Sequence, residues 1–162
     1  MTPLHLKRDR YELRHARASL VLSVAMGVLT TIHHWHAHVF VPHDGPGLHI
    51  VWNELVLIPL TIVTMVLYLR RRSRIALLIY FAIVLAGFVG LGLYEGLWNH
   101  TLKVLAHLRL DTPGAEIGLI LPPDDPHKWF YEVTGVLTFV VAAAAAWATV
   151  LFAQELRRPS DT

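Results

Sequence analysis

Four long apolar stretches, near residues 17–41, 48–69, 75–98 and 129–153, constrain this chain more than any other feature. A hydrocarbon core of about 30 Å needs roughly 20 helical residues at about 1.5 Å each, and every stretch reaches that length. Backbone N–H and C=O groups find no water in lipid, so such stretches pair internally as helices. With 54% hydrophobic residues and a mean hydropathy of +0.47, the chain lies outside the soluble range. Residues 1–162 therefore read as one all-α integral membrane domain, a four-transmembrane-helix antiparallel bundle.

Charge sets the expected orientation. Lys7, Arg8, Arg10, Arg14 and Arg17 precede the first stretch, Arg70, Arg71, Arg72 and Arg74 lie between the second and third, and Arg157 and Arg158 follow the fourth. Four spans place these three segments on one side, and the positive-inside rule makes that side, with both termini, cytoplasmic. Only Lys103, Arg109 and Lys128 fall opposite. The pI of about 9.2 therefore reports topology, not nucleic-acid binding. The leader reads as a solvated topogenic arm, with an interfacial helix over Asp9 to Arg17, continuous with the first span, as the alternative, and its His5 and His15 as solvated surface residues. No small-residue cleavage site follows the first stretch, so it is read as retained. The chain has no cysteine, which excludes disulfides, thiolate metal sites and c-type haem attachment.

The connections differ in kind. Pro42-His43-Asp44-Gly45-Pro46-Gly47 has the residues of a compact turn. The second outer connection, 99–128, is much longer; leucines 102, 105 and 108 with Lys103 and His107 suit a short interfacial helix over Thr101–Leu110. Asp111 to His127, with Pro113, Pro122, Pro123 and Pro126, reads as an irregular loop or lid. Pro59 is a potential kink in the second span, and Gly87, Gly90, Gly92 and Gly96 suit close helix approach in the third, as does the run Ala142–Ala146 in the fourth. Trp35, Trp52, Trp98 and Trp129 fall near the outer boundary, as an aromatic belt would.

The polar residues of the spans are not scattered. Thr31-Ile32-His33-His34-Trp35-His36-Ala37-His38 closes the first span, His49, Asn53 and Glu54 open the second, Glu95, Asn99 and His100 close the third, and Glu132 opens the fourth. All four places are on the outer side. Counted from the cytoplasmic ends, His33 lies roughly 24 Å up, Glu54 roughly 22 Å, and His49, Glu95 and Glu132 roughly 30 Å, a band able to hold one site. Facing carboxylates repel unless cations neutralise them, and the span interiors carry no Lys or Arg. A metal ion is the economical counter-charge.

His33, His34, His49, Glu54, Glu95, His100 and Glu132 form the expected ligand set, with His36, His38, Asn53 and Asn99 as supporting or rim residues. His43, His107 and His127 read as solvated loop residues. Imidazole and carboxylate without thiolate suit iron, copper, zinc or manganese, and the donor count allows one or two ions. In general architecture, four helices facing such a centre resemble the di-iron carboxylate bundles. Those carry Glu-x-x-His pairs, and none falls among the outer-layer residues here, which leaves the metal open. The expected function is a metal-dependent membrane oxidoreductase acting on a small or lipophilic substrate, such as a quinol or lipid. The alternatives are a b-type haem electron carrier and a non-enzymatic metal-binding, sensing or transport protein. The site would face the extracytoplasmic side of a bacterial-type plasma membrane, with the bilayer as partner and a homo-oligomer compatible with the chain.

Overall fold

The computed structural model describes residues 3–40, 48–103, 105 and 127–157, with side chains described from Leu13 in the first helix and from Glu54 in the second. Every regular element among these residues is helical. Helix α1 runs Pro3–Phe40, α2 Leu48–Arg71, α3 Arg74–Leu102 and α4 Lys128–Arg157. Three segments, Leu13–Phe40, Arg74–Leu102 and Trp129–Arg157, are long and apolar enough to cross a membrane. Their outward surfaces agree: Val21, Ile75, Leu78 and Trp147 are 64%, 72%, 67% and 67% exposed, a surface suited to acyl chains.

The helices are longer than the sequence implies. The leader is no separate arm, because α1 begins at Pro3 and continues into the first span. Its sequence contains no Gly or Pro between Leu4 and Met26, so nothing interrupts the backbone ladder. The third helix likewise passes the expected end at Trp98 and reaches Leu102, where neither Gly nor Pro stands in its way. The connection therefore starts later than residue 99. The compact turn 42–47, most of the expected interfacial helix and the Pro-rich stretch 111–126 lie outside the described residues. Pro59 sits within helix α2, on an exposed position.

Helix α1 packs against both α2 and α4, and α4 in turn packs against α3. Its buried seam, Ala16, Ser19, Ser23, Met26, Thr30, His33 and Ala37, follows the spacing of three and four that one helix face requires. The facing seam of α4 is Tyr131, Thr134, Thr138, Ala142, Ala145, Thr149 and Phe152. Both are rich in small and hydroxyl-bearing residues. Lipid tails are as apolar as leucine, so membrane helices associate through close packing and hydrogen bonds instead of apolar burial. Ser19 shows this directly: its Oγ lies 2.6 Å from Tyr80 OH on α3 and 2.7 Å from Thr149 Oγ1 on α4.

This hydroxyl node is not evident from the spacing of the sequence, because it joins residues 61 and 130 positions apart. Glu155 adds to it, being only 5% exposed with a carboxylate oxygen 3.9 Å from His15 Nδ1. His15 is thus part of the helix packing and not a solvated surface residue. Apolar packing fills the remainder. Tyr68, Tyr80, Val84 and Phe152 cluster at this end, and Met26, Phe88 and Ala142 form a layer above them.

Glycines divide by what lies beside them. At Gly92 a Cβ would run into Ala142 and Met26, and at Gly96 into the backbone and Cβ of Phe139. At Gly87 the nearest atom would be 3.6 Å away, an ordinary contact. The α3–α4 approach therefore depends on the outer two of the four expected glycines. Gly96→Ala is expected to lower thermal stability by about 2 kcal/mol through overpacking, whereas Gly87→Ala should be neutral or gain up to about 1 kcal/mol from helix propensity. Thermal unfolding in detergent checks this, and equal effects at the two positions would refute the packing assignment.

Candidate metal centre

The C-terminal ends of α1 and α3 and the start of α4 converge on one small volume. The geometry of α3 is decisive there, because Leu93–Leu102 is a π-helix, with backbone bonds reaching five residues instead of four. The Lys103 N–H bonds the Trp98 carbonyl in that register. Thr101 Oγ1 also donates to the Gly96 carbonyl, five residues back, at 2.7 Å. In an α-helix, positions five apart diverge by about 140° around the axis. The wider turn brings Glu95 and His100 onto one side.

His33, Glu95 and His100 each offer one ligand atom within 4.8 Å of the other two. Both imidazoles are oriented from behind. Thr134 Oγ1 donates its proton to the Phe130 carbonyl at 2.7 Å, so it faces His33 Nδ1, 2.9 Å away, as an acceptor. His33 therefore carries its proton on Nδ1. His100 Nδ1 lies 2.9 Å from Glu132 Oε2, and an ionised carboxylate only accepts, which fixes the same tautomer. The lone pairs of both Nε2 atoms are left free; each atom is buried with no hydrogen-bond partner. His100 Nε2 stands 3.9 Å from Glu95 Oε2.

Buried polar atoms in an apolar span are costly unless satisfied, so two orphaned nitrogens beside a carboxylate form a cradle for a cation. Metal-bound histidines commonly donate their second N–H to a carboxylate or other oxygen, the arrangement Glu132 and Thr134 provide. Glu95 and Glu132 also supply two negative charges, enough to balance one divalent ion in a low-dielectric setting. Ligand atoms about 2.1 Å from a tetrahedral ion stand about 3.4 Å apart, so binding would draw these side chains inward by about 1 Å.

The other expected residues take different places. Glu54 and His34 are both buried and pair at 2.8 Å between Oε1 and Nδ1, which joins α2 to α1 apart from the three-residue group. Asn99 donates to Glu95 Oε2 at 3.0 Å and so orients that carboxylate. The half-buried His36 packs on Phe130 and Phe40, with ring centroids 4.4 and 4.8 Å away, and the exposed His38 lies 6.2 Å from Trp35. His127 is half-buried and stacks on Phe40 at 3.9 Å, so it is not the solvated loop residue expected. The side chains of His49 and Asn53, with His43 and His107, lie outside the described residues.

Three residues at this site escaped the sequence reading. Tyr131 stacks on His33 at 4.6 Å and meets His100 edge-on at 4.7 Å, so it packs against both imidazoles. Thr134 sets the His33 tautomer. Gly135 makes room for His100, since a Cβ there would collide with the imidazole ring. Tyr131 directly precedes Glu132 and the other two follow it within one helical turn, and the spacing Tyr131, Thr134, Thr138 is a legible buried-face signal.

No family model, curated protein or solved structure matches the chain.

The His34–Glu54 pair gives a direct test of buried electrostatics. Removing one partner leaves an uncompensated group, so His34→Ala should cost about 3 kcal/mol. Replacing both, as His34→Leu with Glu54→Leu, should recover most of that loss. A double variant as unstable as the sum of the single ones would contradict the assigned pairing.

Proposed function

We propose that this chain is an integral membrane metalloprotein that holds one transition-metal ion on His33, Glu95 and His100. The observation that carries this reading is the pair of buried, unpartnered Nε2 atoms beside Glu95, each on a histidine whose Nδ1 is already engaged. Iron, copper, zinc and manganese all suit two imidazoles and a carboxylate, and a remaining coordination position suits a substrate or water. Glu54 pairs through Oε1 with His34 to one side, with its Oε2 buried and without a hydrogen-bond partner; the donor atoms that converge within 4.8 Å among the described residues are those of His33, Glu95 and His100, which supports a single ion over two. The His33 and His100 rings meet edge-to-face at 4.8 Å, leaving no slot for a flat macrocycle between them, so an ion is favoured over b-type haem.

In this reading α2 is the fourth span, both termini are cytoplasmic and the centre faces the extracytoplasmic side. The distribution of Lys and Arg supports that orientation. Beneath the centre, Met26, Phe88 and Ala142 form an apolar layer, which favours a resident ion over one in passage. We assign the protein to the metal-dependent oxidoreductases acting on a lipophilic substrate. A groove of about 450 Å³ between α1, α2 and α4, walled by Trp35, His36, Phe40, Leu55 and Phe130, supports a substrate arriving from the bilayer. Phe130 is on this groove and the next residue, Tyr131, is on the centre.

Elemental analysis with an absorption spectrum of the detergent-purified protein tests the centre. About one equivalent of metal is expected, lost in His33→Ala and Glu95→Gln. Thr134→Val and Glu132→Gln should weaken binding about 10- to 100-fold without abolishing it. A Soret band, or a folded wild-type protein that takes up no metal on titration, would overturn the reading. Orientation is accessible separately: single cysteines placed at Ser73 and Asp44 in this cysteine-free chain should label from opposite sides of the membrane.

A further inference from the structure

Outside the candidate centre, the strongest unassigned chemistry is at the α2–α3 hairpin. Arg70, Arg71, Arg72 and Arg74 occur within five residues, and all four are exposed. The turn between the helices is short and fixed. Arg72 adopts a left-handed φ of 51°, its N–H bonds the Tyr68 carbonyl at 2.8 Å, and Ser73 caps α3 by accepting from Ala76 N at 3.3 Å. The Arg72 guanidinium lies 5.6 Å from the Tyr68 ring centre and donates to its hydroxyl at 3.3 Å. Arg70, Arg71 and Arg74 have no carboxylate in ion-pair reach among the described residues.

The surface beside this cluster changes character abruptly. Ile75 and Leu78 are 72% and 67% exposed and begin an apolar slope along α3 immediately after Arg74. Arg14, Arg17 and Arg157 are also exposed at this end of the bundle, and among the described side chains its one carboxylate, Glu155, is buried beside His15. A concentrated positive zone above bare apolar surface is complementary to one kind of partner, an amphiphile with an anionic head. A soluble phosphate or an acidic peptide would leave Ile75 and Leu78 uncovered.

We propose that the α2–α3 hairpin is a binding site for an anionic phospholipid. The phosphate sits among Arg70, Arg71 and Arg74, where planar guanidinium groups match phosphate oxygens in pairs, and the acyl chains lie along Ile75, Leu78 and Ile79. Arg72 is the positioning residue; its contact with Tyr68 holds the turn and presents its neighbours outward.

Native mass spectrometry of the full chain, released from mixed micelles of phosphatidylglycerol and phosphatidylcholine, tests the site. Retention of phosphatidylglycerol at least fivefold above phosphatidylcholine is expected. It should fall to the phosphatidylcholine level in the triple variant Arg70→Gln, Arg71→Gln, Arg74→Gln and at 1 M salt. A matched variant, Arg14→Gln with Arg17→Gln, keeps the hairpin intact and should retain the preference, while circular dichroism confirms the helices in each. Equal retention of the two lipids, or an unchanged preference in the triple variant, overturns the proposal. Displacement by millimolar glycerophosphate would also overturn it, because the site would then hold a headgroup alone.

Discussion

The hydrogen bond between His33 Nδ1 and Thr134 Oγ1 is the interaction on which most of the site's end of the bundle depends. It joins α1 to α4 in a medium where apolar burial alone gives helices no reason to associate. It also decides which ring nitrogen is protonated, and hence which one can donate a lone pair. The same short contact therefore belongs to both the fold and the chemistry. Glu132 does the equivalent for His100 across α3 and α4.

Two kinds of contact then bring the helices close enough for these bonds to form. Hydroxyl groups at Ser19, Tyr80 and Thr149 connect three helices at one end. Missing side chains act at the other, where Gly92, Gly96 and Gly135 let α3 and α4 approach to a separation that a methyl group would forbid. Polar satisfaction and steric vacancy are thus complementary. The buried glycine at position 135 has value only because His100 fills the space, and His100 is held there by Glu132, on the same helix as that glycine.

Much of the architecture was legible in the sequence because it follows from length and period. Apolar runs long enough for the bilayer gave the helices, and the coincidence of His33, Glu95, His100 and Glu132 at one depth pointed to their meeting. Other features depended on information that spacing does not carry. Positions five apart normally diverge on an α-helix, so the proximity of Glu95 to His100 follows only from the π register. Glu155 and His15 sit in segments whose charge density resembled a solvated tail and leader; their mutual packing is a tertiary fact. Thr134 looked like one more threonine, since its role depends on which acceptor faces His33.

The two π segments of α3, Ile83–Val89 and Leu93–Leu102, have one more consequence. Each widens the helical turn, so that positions four apart stay in line instead of drifting by about 40° at every step as they would in an uninterrupted α-helix. The buried residues Ala76, Tyr80, Val84, Phe88, Gly92, Gly96 and His100 accordingly form one continuous seam along α3. That seam passes from large apolar side chains at one end of the bundle, through the glycines that admit α4, to a ligand histidine at the other, a course that a regular α-helix would have turned away from its neighbour.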